Sequence, residues 1–186
     1  VNSDSSALRL RAILTILPVL LDVDSNNVFL KRRKRQRGHR QYGKSNNKET
    51  YHTICEGDLS FLVTFTTYID TGLFLDHRIT RNMVREKAAG KNVLNLFGYT
   101  GSFTVYAAAG GAYKTLTIDS SRTYIEWAQK NLELNCHHFP QKKIKILDTI
   151  SNHPQQHAPS GHYLLRADCL EWVTKKIGDW DVIILD

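Results

Sequence analysis

The stretch VLNLFGYTGSFTVYAAAGGA, residues 93–112, limits most tightly what this chain can fold into. An apolar run breaks at Gly98, a second glycine follows at Gly101, and a small-residue helical pattern runs into Gly110-Gly111. This reads as a buried strand, a tight turn and a helix, the layout that sets a helix N-terminus against a ligand. The turn lacks the G-x-G-x-x-G spacing of a dinucleotide cradle, and Phe97 and Tyr99 flank its first glycine.

The same alternation continues on both sides. DHRITRNMVREKAAG (76–90) predicts a helix with Ile79, Met83 and Val84 on its apolar face and Gly90 as its stop. NVLNLF (92–97), TLTID (115–119), HYLLRAD (162–168) and DVIILD (181–186) read as buried strands. SFTVYAAA (102–109), SRTYIEWAQKNLELN (121–135) and CLEWVTKKIG (169–178) read as the helices between them. In the second of these, Ile125, Ala128 and Leu132 share one stripe behind a Ser cap. The expected class is α/β, a Rossmann-like parallel sheet with helices on both faces. Four strands are about half of a doubly wound sheet, and a bare apolar edge is a form that native sheets avoid. The chain begins at Val1 and stops inside VIILD, so a piece truncated after the fourth strand is expected. Its exposed fourth strand predicts self-association.

Upstream of Asp70 the character differs. Residues 7–17 read as a helix, VFLK (28–31) as a short strand, and YHTICEGDLSFLVTF (51–65) as a hairpin turning at Glu56-Gly57-Asp58. The run AILTILPVLL (12–21) contains a proline and is too short to span a bilayer, so it reads as a buried helix end, with no membrane partner. Arg9 and Arg11 precede it, but no signal-cleavage pattern follows. The division expected is 1–69, a basic segment with a hairpin, and 70–186, half of a Rossmann-like domain carrying a surface insertion at 136–161. That insertion holds His137, His138, His153, His157 and His162. Pro154 and the lack of a second ligand pair make it a solvated segment rather than a metal site.

Charge is local. The window KRRKRQRGHR (31–40) holds seven of the 25 Lys and Arg, and removing them leaves 18 against 18 Asp and Glu. Lys31, Arg32, Arg33, Lys34, Arg35, Arg37 and Arg40 therefore read as an arm for a polyanion such as RNA. Cys55, Cys136 and Cys169 are scattered and odd in number, which fits a reducing, cytoplasmic setting.

Ligands of open α/β sheets bind outside the carboxyl ends of the strands. The Phe97–Gly101 turn ends the first core strand, and Asp119, Asp168 and Asp186 end the next three. Asp119 lies 18 residues after Gly101, a distance suited to an acid reaching a ribose hydroxyl. Asp168 would then take the adenine amine, and Gly101 would let the backbone approach the ligand. Phe97, Tyr99 and Thr100 crowd the turn against a pyrophosphate, and an adenosine ligand with an amino-acid tail, S-adenosylmethionine, suits it better. Each acid alone is equally a helix N-cap; their common register is what points to a ligand.

DTGLFLDHRITRNMV (70–84), NLFGYTGSFTVYAAAGGA (95–112), TIDSSRTYIEWAQKNLELN (117–135) and RADCLEWV (166–173) together resemble one family. It is the C-terminal, guanine-N7 methyltransferase half of the bifunctional bacterial 23S rRNA methyltransferase K/L. The similarity covers roughly residues 22–186 outside the insertion. It implies a class I S-adenosylmethionine fold, 23S rRNA as partner, and an N-terminal methyltransferase half of the same polypeptide missing here. Cofactor residues implied are Arg78, Asn95, Phe97, Gly98, Tyr99, Thr100, Gly101, Asp119, Ser120, Asp168 and Cys169. Arg78 is expected near the cofactor carboxylate or the substrate, or else paired with Asp76. The family continues D-P-P-x-F where only Asp186 is present, and Asp186 is the catalytic candidate. Guanine N7 has a lone pair and no proton, so transfer to it rests on positioning and electrostatics rather than on a general base. A 5-methylcytosine rRNA methyltransferase of similar architecture would need a cysteine nucleophile, which would lie beyond Asp186, so this reading stays open. A non-catalytic RNA- or cofactor-binding piece is the other reading left open.

Overall fold

The computed structural model describes residues 4–31, 50–147, 159–175 and 178–185. The chain divides into two units, residues 1–50 with 65–69, and residues 51–64 with 70–186. The hairpin thus belongs with the α/β unit rather than with the N-terminal segment, a correction to the expected boundary at residue 69.

In the first unit α1 runs Asp4–Leu21 straight through Pro18, longer than the expected 7–17. Ile13, Ile16, Val19, Leu20 and Leu21 are exposed, so the run 12–21 is not a buried helix end. Val28–Lys31 joins no sheet among the described residues, so the expected strand at 28–31 is absent there. There Phe29 stacks on Phe65 at 5.2 Å, and Lys31 Nζ donates to the Tyr68 carbonyl at 2.7 Å. No described helix is long and apolar enough to cross a membrane.

The second unit opens with the antiparallel hairpin β1 (His52–Glu56) and β2 (Leu59–Val63), turning at Gly57-Asp58 as expected. Then follow α2 (Arg78–Lys87), β3 (Asn92–Leu96), α3 (Ser102–Ala109), β4 (Lys114–Asp119), α4 (Arg122–Leu134), β5 (Lys143–Leu147), β6 (Gly161–Arg166), α5 (Cys169–Thr174) and β7 (Val182–Leu185). The sheet is parallel, in the order β5-β6-β4-β3-β7. Alternation along the strands sends Leu94, Leu96, Leu116 and Ile118 to one face, where α5 adds Cys169 and Trp172. Val93 and Ile184 point the other way, against Phe103 and Ala107 of α3 and Ala88 after α2.

Three details depart from expectation. Lys143–Leu147 is the edge strand of the sheet, so the segment 136–161 is not wholly a surface insertion. Its alternating Lys and Ile residues give an edge that solvent can reach, the kind of strand a hydrophobic-run reading misses. Of the apolar face assigned to α2, Val84 packs on the core, but Ile79 and Met83 are exposed, while Arg81 is 1% exposed. The burial of Arg81 follows from a partner on the hairpin, described below. His162, grouped by sequence with solvated histidines, is wholly buried in β6. Its Nδ1 pairs with Thr115 Oγ1 at 3.0 Å, and its ring stands edge-on to Phe139 at 4.7 Å. His153 and His157 lie outside the described residues.

Burial, with help from the charge of Lys142, pulls His162 down from 6.5 to about 3. The folded state therefore binds this proton more weakly than the unfolded chain. The stability it contributes is complete above pH 6.5 and is lost as pH falls from 6.5 toward 3, at about 1.4 kcal/mol per pH unit. A His162→Leu chain is expected to show a shallower fall in melting temperature between about pH 6.5 and pH 4.5 than the wild type. Parallel slopes would refute a role for His162 in acid sensitivity.

Candidate functional site

The turn after β3 is held in a conformation that local preference opposes. Phe97, Tyr99 and Gly101 all have positive φ, at 54°, 48° and 73°. For each non-glycine residue this costs roughly 1–2 kcal/mol. The surroundings fix it. Phe97 N–H donates to Cys169 Sγ at 3.2 Å, Gly98 N–H to the Ile118 carbonyl at 2.9 Å, and Tyr99 N–H to Asp119 Oδ2 at 3.0 Å. Gly101 N–H closes on the Gly98 carbonyl at 2.8 Å. Asn131 Nδ2 donates to the Thr100 carbonyl at 2.9 Å, and Thr100 Oγ1 donates to the Gly72 carbonyl at 2.6 Å.

These bonds revise the reasons for the residues in the turn. A Cβ on Gly101 would stand 2.7 Å from Ala128 Cβ, so this glycine serves the left-handed cap of α3 and the approach of α4. A Cβ on Gly98 would meet Thr117 Cγ2 at 2.3 Å, across the sheet. Each glycine thus has a packing reason of its own within the fold. Thr100 is fully buried, and Tyr99 packs against Tyr124, Phe74 and Trp127. The Tyr99 hydroxyl is buried, and burial pushes it upward, with the neighbouring Tyr124 adding to the rise. A pyrophosphate is disfavoured less by crowding than by supply, because the N–H groups of Gly98 and Tyr99 are spent on β4 and that of Gly101 on the turn itself.

A small open cleft lies beside the turn, lined by Asn95, Phe97, Gly98, Tyr99, Ser102 and Phe103 together with Phe74, His77 and Arg81. Asn95 is buried, and its Nδ2 donates to Thr104 Oγ1 at 2.9 Å, which in turn bonds Thr117 Oγ1 at 2.6 Å. At the head of α3, Ser102 and Phe103 begin a helix whose first N–H groups have no intrahelical acceptor. Its cap, Gly101, supplies no side-chain oxygen to them. A carboxylate would find donors there.

The arginine that lines the cleft is Arg81, not Arg78. Arg78 is exposed, does not line the cleft, and forms no ion pair with Asp76 among the described residues. Arg81 grips Glu56 of β1 through Nε to Oε1 and through an Nη to Oε2, both at 2.8 Å, and donates to the Phe74 carbonyl at 2.8 Å. Tyr106 of α3 donates to Glu56 Oε1 at 2.9 Å, and burial pushes that phenol up to about 12, with Glu56 adding to the rise. Sequence reading missed this trio; its only trace was a second arginine one turn beyond Arg78.

Asp119 sits at the end of β4, half-buried, with Tyr99 N–H on one oxygen and Ser121 N–H on the other at 2.8 Å. Burial raises its carboxyl while the two amides pull it back. Each oxygen keeps a further lone pair for a ligand hydroxyl. Ser120 is exposed, and its carbonyl accepts from Arg166 Nε at 3.2 Å. Asp168 caps α5 by accepting from Glu171 N–H at 3.0 Å and is otherwise exposed. Cys169 is buried, its thiol raised by burial and engaged by Phe97 N–H and the Ile118 carbonyl. Its side chain therefore builds the sheet rather than facing the cleft. Lys31 is anchored to backbone carbonyls of Tyr68 and Ile69, while Arg32, Arg33, Lys34, Arg35, Arg37, Arg40 and Asp186 lie outside the described residues.

A family model described as S-adenosylmethionine-dependent methyltransferase matches residues 4–150. The chain is 42% identical over 186 residues to a ribosomal RNA large subunit methyltransferase K/L of Aliivibrio fischeri, covering all of this chain and 24% of that protein. It thus spans about a quarter of the length of that relative. A solved SAM-dependent methyltransferase from Streptococcus mutans is similar at a TM-score of 0.58 and 30% identity, over 76% of this chain and 33% of that one. A methyltransferase complexed with SAH is similar at 0.51 and 30% identity, over 76% and 34%.

Gly101→Ala would place a Cβ against Ala128 at an unfavourable φ. A loss of about 2 kcal/mol or more is expected, read as a lower urea midpoint at unchanged slope. An unchanged midpoint would mean that α4 can yield and that this contact does not set the turn.

Proposed function

The chain belongs to the S-adenosylmethionine-dependent methyltransferase family, and on that premise we propose that it methylates large-subunit ribosomal RNA, at guanine N7 of 23S rRNA. The observation that supports the ribosomal RNA part of this reading is the similarity, along all of this chain and 24% of the relative, to a protein named ribosomal RNA large subunit methyltransferase K/L. S-adenosylmethionine is the cofactor of the family, and when bound it supplies an electrophilic methyl group on a sulfonium centre. The cleft fits its amino-acid tail, with the uncapped head of α3 and Asn95 as donors. Asp119 is assigned to the ribose hydroxyls and Asp168 to the adenine amine. Phe97, exposed at the cleft mouth, shields the ligand from water.

The substrate side is assigned to charge. Arg78, exposed and apart from the cleft lining, is placed with RNA phosphate rather than with the cofactor carboxylate. The basic run from Arg32 to Arg40 serves as the phosphate-gripping arm. Asp186 is assigned the electrostatic role, a carboxylate to stabilise the positive charge that develops on the base as N7 is methylated. A cysteine mechanism finds no support among the described residues. Cys55 and Cys136 are exposed outside the cleft lining, and the Cys169 thiol is buried, raised and engaged.

Two measurements test this. Transfer of a labelled methyl group to unmodified 23S rRNA, mapped by nucleoside analysis, is expected to yield N7-methylguanine. 5-Methylcytosine would overturn the assigned base, and cofactor binding without transfer would favour a binding role. In the complete protein, Asp186→Ala is expected to lower methylation more than cofactor affinity, and Asp119→Ala to weaken cofactor binding about tenfold or more. Equal loss of both in the Asp186 variant would reject its electrostatic role.

A further inference from the structure

The outer edge of β2 is paired not by a strand but by a helix. Trp127, Asn131 and Asn135 stand four residues apart on α4 and its cap. Trp127 Nε1 donates to the Leu62 carbonyl at 3.0 Å, and Leu62 N–H donates to Asn131 Oδ1 at 2.9 Å. Ser60 N–H donates to Asn135 Oδ1 at 2.9 Å, and Asn135 Nδ2 donates to the Ser60 carbonyl at 2.7 Å. The spacing explains the fit. Four helical residues advance about 6 Å and two strand residues about 6.8 Å, so alternate edge groups of β2 meet every fourth residue of α4.

Asn131 and Asn135 spend their second arms differently. Asn135 Nδ2 stays with Ser60 and the Asn131 carbonyl. Asn131 Nδ2 leaves the hairpin and donates to the Thr100 carbonyl, inside the left-handed turn. Among the described residues the Asn131 carboxamide alone is hydrogen-bonded to both the hairpin edge and that turn. Both Asn131 and Thr100 are fully buried, so water cannot replace the bond.

We propose that Asn131 is a positioning residue for the cofactor turn, linking the docking of the β1–β2 hairpin to affinity for S-adenosylmethionine. The inference rests on the cofactor assignment made above. With the Thr100 carbonyl unbonded, the turn loses one of the restraints that hold Tyr99 and Gly101 at positive φ. The head of α3 then no longer stands at a fixed height above the cleft. By linkage, a ligand that needs the formed turn must also stabilise the hairpin edge.

Two near-isosteric variants of the full chain separate positioning from general damage. Asn131→Leu and Asn135→Leu each leave half-buried edge groups of β2 unpaired, and both are expected to lower the melting temperature. Only Asn131→Leu releases Thr100. By calorimetry, its dissociation constant for S-adenosylhomocysteine is expected to rise about tenfold, while that of Asn135→Leu stays within about twofold of wild type. Similar affinities in the two variants, whether both weakened or both unchanged, would overturn the proposal. The wild-type chain offers a second reading that needs no variant. S-adenosylhomocysteine is expected to slow hydrogen exchange at the Leu62 amide more than at the Ser60 amide, and equal protection would overturn the link. A wild-type chain that binds no S-adenosylhomocysteine at all would reject the cofactor assignment and this inference with it.

Discussion

A two-stranded hairpin has two open edges, and an edge turned away from water must find partners for its N–H and C=O groups. The edge of β2 finds them on α4, in Trp127, Asn131 and Asn135. Much of the α/β unit is arranged around that solution. It makes the hairpin part of the sheet unit and brings the segment after it to the sheet top. There the Gly72 carbonyl meets Thr100 and the Phe74 carbonyl meets Arg81. Gly101 then has to be glycine, because α4 must come close enough for its amides to reach both the hairpin and the turn.

At its other end the hairpin is held by charge. Glu56 receives two bonds from Arg81 and one from Tyr106, all within the interior. Removing one partner of such a buried pair typically costs about 3–5 kcal/mol, because the charge left behind has no water to turn to. The pair thus adds less to net stability than its geometry suggests, but it selects one position for α2. That choice puts Arg81 and His77 beside the cleft and leaves Leu75, Ile79 and Met83 facing solvent.

The turn gathers these constraints into a site. Its backbone is bonded to β4 through Ile118 and Asp119, to α5 through Cys169, and to α4 through Asn131. Strain persists at functional sites when the surroundings over-determine it. Here the over-determination also consumes donors. The turn itself has few N–H groups left, while the first N–H groups of α3, beside the cleft, receive no side-chain cap. A ligand with an amino-acid tail meets that supply where a pyrophosphate would not.

Much of this was legible in order along the chain. Apolar runs ending in glycine or acid located the core strands, and the stripe of Ile125, Ala128 and Leu132 located α4 with its Ser121 cap. The turn of residues 97–101 and the acid at 119 were readable because strand, turn and strand-end follow from local pattern. Other features were not. The buried face of α2 was misjudged because hydrophobicity ranks Arg81 as a surface residue until Glu56 stands beside it. β5 was missed because an edge strand needs no continuous apolar run, and His162 because its neighbours in sequence are polar while its neighbours in space are Phe139 and Thr115. By itself, then, the sequence determined the strand–turn–helix alternation and the register of acids at the strand ends, since both are written in near-neighbour spacing. Only the tertiary structure decided which arginine meets the cleft, why the glycines are required and what pairs the hairpin edge. Each of those depends on a partner 19 to 75 residues away along the chain, and such a distance leaves no periodic trace in the sequence.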